Sequence, residues 1–84
     1  MVDYTQRRLS ERRTLVAPAL VMVEDEAPIS CVTINVSSGG VKLTFPKDVS
    51  LPPDFCVTIQ AARVRNRRSR MVWRNGDELG VRFV

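Results

Sequence analysis

Arg8 and Arg12 stand four residues apart in Arg8-Leu9-Ser10-Glu11-Arg12, with Arg7 directly before them and Arg13 directly after. On a helical turn the two would share one face, with Cβ atoms about 5–6 Å apart. Two guanidinium forks at that spacing can hold a phosphate, or the O6/N7 edge of a guanine, through paired hydrogen bonds. Arginine pairs four apart are common, so on spacing alone the plainer reading is a solvated basic tail. The second cluster, Asn35-Val36-Ser37-Ser38-Gly39-Gly40, reads Asn-x-Ser-x-x-Gly. Asn35 can donate and accept, and the Ser37 hydroxyl does the same in less space. Gly39 and Gly40 permit a left-handed backbone and close approach by a planar ligand. Taken alone, this too is ordinary turn composition.

A third cluster is Arg63, Arg65, Arg67, Arg68, Arg70 and Arg74. The first three alternate, then the phase slips, which predicts a tight turn or bulge near Asn66–Arg68. Such a stretch could be a nucleic-acid stripe, but modules of that kind interleave aromatics for stacking. Here the only near aromatic is Trp73, whose parity with Ser69 and Met71 assigns it to the core. A solvated hairpin face is the plainer reading, with an acidic protein partner or nucleic acid as the others. Other chemistries are excluded: the chain has no His and only two Cys, so it holds no His/Cys metal site and no Ser-His or Cys-His pair. Cys31 and Cys56 both fall on the outward parity of their strands and read as reduced surface thiols.

The elements that must position these clusters are strands. Eighty-four residues make one domain, 44% hydrophobic and 26% charged, with a net charge of +4 that suits an anionic partner. No apolar run approaches the ~20 residues of a membrane helix, and residues 1–13 lack the apolar region of a secretory signal. A cytoplasmic protein without membrane insertion is expected. Residues 1–13 are polar and read as an arm, mobile or briefly helical; residues 14–84 alternate with a period of two. The strands expected are Thr14–Glu24, with Pro18 at an edge, bulge or true beginning; Ile29–Val36, with Val32, Ile34 and Val36 on one face; Val41–Phe45; Asp54–Gln60; Met71–Arg74, led into by the basic stretch; and Leu79–Val84. Asp25–Pro28, Ser37–Gly40 and Pro46–Pro53 connect them, and Asn75-Gly76 supplies a hairpin with φ > 0 at both residues. The fold class is all-β, a small six-stranded antiparallel β-barrel whose closure leaves no edge to protect.

Arg-x-x-x-Arg on an arm, followed by Asn-x-Ser-x-x-Gly on a barrel corner, resembles the PilZ domain family. The ending fits as well: Met71-Val72-Trp73-Arg74 and Leu79-Gly80-Val81-Arg82-Phe83 are similar to that family's closing hairpin. The resemblance runs from Gln6 to Val84. It implies a receptor for cyclic di-GMP that signals to a protein partner and has no enzyme activity. Arg8 and Arg12 would grip phosphates and guanine edges, and Asn35, Ser37, Gly39 and Gly40 would read a guanine from the barrel. An Arg at position 7 goes, in the family, with an intercalated ligand dimer. Asn35 stands where Asp is commoner, and both occur. Many members carry a helix after the last strand; here the sequence stops at Val84, and no C-terminal helix is expected. The rival readings are a nucleic-acid-binding small β-barrel, which the shortage of aromatics weighs against, and a PilZ-like interaction module that binds no nucleotide.

Overall fold

The computed structural model describes residues 13–46 and 49–84. Alternating apolar residues form six strands: β1 (Arg13–Met22), β2 (Ile29–Val36), β3 (Gly40–Thr44), β4 (Asp54–Ile59), β5 (Val64–Asn75) and β6 (Glu78–Phe83). They close into an antiparallel barrel in the order β1-β2-β3-β6-β5-β4, the architecture that the alternation predicts. The basic stretch is not a lead-in to a strand but part of it, since β5 runs unbroken from Val64. The barrel is filled by Val21, Val41, Leu43, Phe45, Phe55, Val57, Ile59, Leu79 and Val81, all nearly inaccessible to solvent. Val41, Leu43 and Phe45 share the inner face as their spacing requires, as do Phe55, Val57 and Ile59.

Pro18 lies within β1 opposite Val32 of β2. On its other side the β1–β4 ladder spans only Leu20–Met22, so the missing proline N–H removes no ladder bond there. Ahead of it, between the pairs Thr14–Asn35 and Ala17–Thr33, two β1 residues, Leu15 and Val16, face the single β2 residue Ile34.

Bulges overturn two expectations of parity. On β2, Thr33 pairs with Leu43 and Asn35 with Lys42, so Ile34 is an extra residue. Thr33 is fully buried, and its hydroxyl reaches the carbonyls of Asn35 and Lys42 at 3.3 and 3.4 Å across the irregularity. The inward set is therefore Cys31, Thr33 and Val36, not Val32, Ile34 and Val36. Cys31 is a core residue, and burial pushes its thiol up to about 12, which keeps it protonated and inert. Cys56 does face outward and is half-buried. On β5, Met71 pairs with Val81 and Trp73 with Gly80. The extra residue, Val72, turns Trp73 out of the core, where it is 43% exposed.

The slip expected in the basic stretch is present. Val57 pairs with Arg67 and Ile59 with Val64, so β5 carries one residue more than β4 there, and Asn66 has φ 46°. β4 stops at Ile59 because Gln60–Ala62 form a 3₁₀ turn that ends on Arg63 at φ 59°. In the last hairpin Asn75 pairs with Glu78, so the loop is Gly76-Asp77, and only Gly76 has positive φ, 64°. The pair Asn75-Gly76 was expected to be left-handed at both residues; the loop instead sits one position later, with glycine at the first place, the position it favours in a type II′ turn.

Candidate functional site

The corner between β2 and β3 is built around Ser37. Its backbone N–H donates to the Gly40 carbonyl at 2.9 Å. Its hydroxyl accepts from the N–H groups of Gly39 and Gly40, both at 3.2 Å, and lies 3.4 Å from the Gly40 carbonyl. Ser37 thus holds the shape of the corner as well as presenting an oxygen at it. The corner is tied to β6 by the Phe83 N–H donating to the Gly39 carbonyl at 2.9 Å.

The left-handed backbone that the two glycines permit is not used; neither has positive φ. Gly40 has another purpose. A Cβ there would run into the Val81 carbonyl and stand 3.3 Å from Arg82 Cα, so the absent side chain allows close approach of the β6 backbone. A Cβ on Gly39 would meet nothing within 4 Å, and that residue leaves the corner open.

Ser37, Gly39 and Gly40 line a depression of about 310 Å³ together with Val72, Trp73, Gly80, Val81 and Arg82. The sequence reading missed Trp73 and Arg82. Trp73 was assigned inward by a parity that the Val72 bulge reverses; the available signal was Gly80, whose absent Cβ leaves room for the Trp73 indole. Arg82 is exposed on β6 and pairs with Gly40 across the ladder. A second cation, Lys42 Nζ, lies 6.0 Å from the Trp73 ring centroid and 3.3 Å from Glu78. The site therefore combines an aromatic plate, a guanidinium and a hydrogen-bonding corner, a set suited to a flat, anionic ligand.

Asn35 is half-buried at the end of β2 and does not line the depression. By strict alternation it would follow Cys31 and Thr33 inward; the Ile34 bulge turns it off the core face. Arg7, Arg8 and Arg12, and with them the expectation for the arm, lie outside the described residues. Their attachment point is described: Arg13 pairs with Val36 and Thr14 with Asn35. In sequence, Arg12 immediately precedes Arg13 and Arg8 precedes it by five residues.

The geometry makes Trp73 a reporter. It is the sole tryptophan. Gly80→Ala should push the indole off β6, shifting its emission while leaving the thermal midpoint within a few degrees, because an exposed ring has somewhere to go. An unchanged emission spectrum would contradict the contact.

No curated protein matches the chain. A family model described as the PilZ domain matches residues 6–84, a span that takes in the arm, the corner and the closing β5–β6 hairpin. The chain therefore belongs to the PilZ domain family, a family of cyclic di-GMP-binding domains.

Proposed function

We propose that this protein is a cytoplasmic cyclic di-GMP receptor that closes its N-terminal arm over the nucleotide and signals to a partner protein. The observation that carries the reading is the depression shared by Ser37, Gly39, Trp73 and Arg82, beside the strand end from which the arm departs. At about 310 Å³ it is at the small end of ligand pockets, which start near 300 Å³. The barrel offers part of a binding surface, and the arm supplies the rest. Arg8 and Arg12 bring guanidinium forks for phosphate and guanine O6/N7. Asn35 and Ser37 contribute hydrogen bonds from the barrel, Gly39 leaves space, and the Trp73 ring stacks on a base. Gly40 acts by holding the corner against β6. Arg7 adds the charge that a stacked ligand dimer requires, so two ligands bind per chain. Residues 1–13 have few apolar side chains with which to dock unaided, and ligand contacts give the arm its reason to order. The role is binding and relay, not catalysis.

Calorimetric titration with cyclic di-GMP tests this, with GMP, cyclic di-AMP and single-stranded DNA as controls. Cyclic di-GMP should bind far more tightly than the others and quench Trp73. Equal affinity for cyclic di-AMP would defeat guanine reading, because adenine presents an N6 donor where guanine presents O6.

A further inference from the structure

The basic end of β5 is a built surface for which the nucleotide site has no use. Arg63, Arg65, Arg67 and Arg68 are all exposed. Among the described residues no Asp or Glu side chain pairs with any of these four arginines; Asp54 pairs instead with Arg70 at 2.9 Å, and Glu78 with Lys42 at 3.3 Å. Protein surfaces ordinarily intersperse the two signs. Four guanidinium groups within six residues repel one another unless something anionic covers them.

Their backbone is held in place. The Arg63 N–H donates to the Gln60 carbonyl at 3.1 Å, and the Asn66 N–H donates to Thr58 Oγ1 at 2.8 Å. Ala62 and Val64 pack against the core, and the Arg67 guanidinium lies 4.9 Å from the Phe83 ring centroid. Between them Thr58, Gln60, Arg63, Val64 and Arg65 line a concavity of about 420 Å³. Its polar lining is rich in donors: two guanidinium groups, the Gln60 amide, and a Thr58 hydroxyl whose oxygen already accepts from Asn66, leaving its own proton to give. A donor-rich hollow with an apolar wall fits the side chain of Asp or Glu.

We propose that the basic start of β5 docks an acidic segment of a partner protein, with one carboxylate seated between Arg63 and Arg65 in this concavity. Nucleic acid fits less well. No exposed aromatic stands among these residues to stack a base, and a small concavity favours an inserted side chain over the convex backbone of a duplex. The surface shares no residue with the Ser37–Trp73 depression, so the proposal stands or falls independently of cyclic di-GMP.

The probe is a synthetic peptide of alternating Glu and Ser, titrated into the full chain with backbone amide shifts recorded. A peptide with Gln in place of Glu and a short DNA duplex are parallel arms. The Glu peptide should shift Thr58–Arg68, bind more weakly as salt rises, and lose about tenfold in affinity in the double variant R63Q/R65Q. R74Q, which removes a cation from the other end of β5, should bind as the unmodified chain does. If the double variant misfolds, the shift map of the unmodified chain decides the matter. Peptide shifts outside Thr58–Arg68, equal binding of the Gln peptide, an undiminished affinity in a folded double variant, or a duplex that binds there as tightly as the peptide would each overturn the proposal.

Discussion

Gly40→Val should destabilise the barrel and not merely empty its binding site. From the sequence, a bulky residue at this position would be expected to block a ligand. The structure moves the effect elsewhere. Gly40 begins β3 and pairs with Arg82 of β6; the space a side chain would need is taken by the Val81 carbonyl. The obstacle is backbone, which cannot rotate out of the way as a side-chain tip can. Accommodating valine means prising β3 from β6 beside the Phe83–Gly39 hydrogen bond that anchors the corner. Overpacking a tight site costs about 1–3 kcal/mol and more where the backbone must move. Taking about 3 kcal/mol, the midpoint of thermal unfolding falls by roughly 12–24 °C for a domain of this size. Gly39→Val is the matched control: its Cβ meets nothing within 4 Å and its φ is not left-handed, so the barrel should melt within a few degrees of the parent. Melting curves for the two variants, followed by circular dichroism, separate the roles. A Gly40→Val protein that melts normally would show that β3 and β6 do not meet as described.

The contrast between the two glycines indicates what can be read from residues alone. The barrel was legible because a period of two repeats through β3 and β4 without interruption, and Leu43 or Val57 can point only one way once their neighbours do. The residues given the wrong face sit where a strand carries an extra residue. Cys31 and Trp73 were given the wrong face because the parity was carried through Ile34 and Val72, each an unpaired insertion in its ladder. A bulge depends on how two strands register, and each strand's own sequence holds only half of that information. The arginine run near Asn66 was the exception, since there the slip appears within one strand as a break in the charge alternation. The same bulges assemble the candidate site: one turns Asn35 off the core face, the other brings Trp73 beside Ser37 and Arg82. Local pattern therefore identified the Asn-x-Ser-x-x-Gly corner, while its aromatic and cationic companions on β5 and β6 became visible only through pairing between strands distant in sequence.

Replacing Arg8 or Arg12 by alanine should weaken cyclic di-GMP binding by roughly 1.5–3 kcal/mol each, the range for hydrogen bonds to charged groups. Neither change should move the melting temperature, because the described core is filled by apolar residues of the six strands and the connections between them. Ser37→Ala should differ in kind. Its hydroxyl accepts from two backbone N–H groups of the corner, so its loss should lower stability by about 1 kcal/mol and weaken binding less than either arginine change. Arg7→Leu should keep binding but reduce the stoichiometry from two towards one, since a stacked dimer doubles the phosphate charge to be neutralised and the variant offers one guanidinium fewer. The arm itself can be followed through backbone amide relaxation of residues 4–13, with and without nucleotide. Closure over the ligand requires these amides to become as rigid as those of β2 on saturation, and binding to weaken as salt rises. An Arg8→Ala protein that binds normally would reduce the arm to a tail. An arm that is equally rigid in both states would remove the ordering mechanism even if Ser37, Trp73 and Arg82 proved to hold the nucleotide.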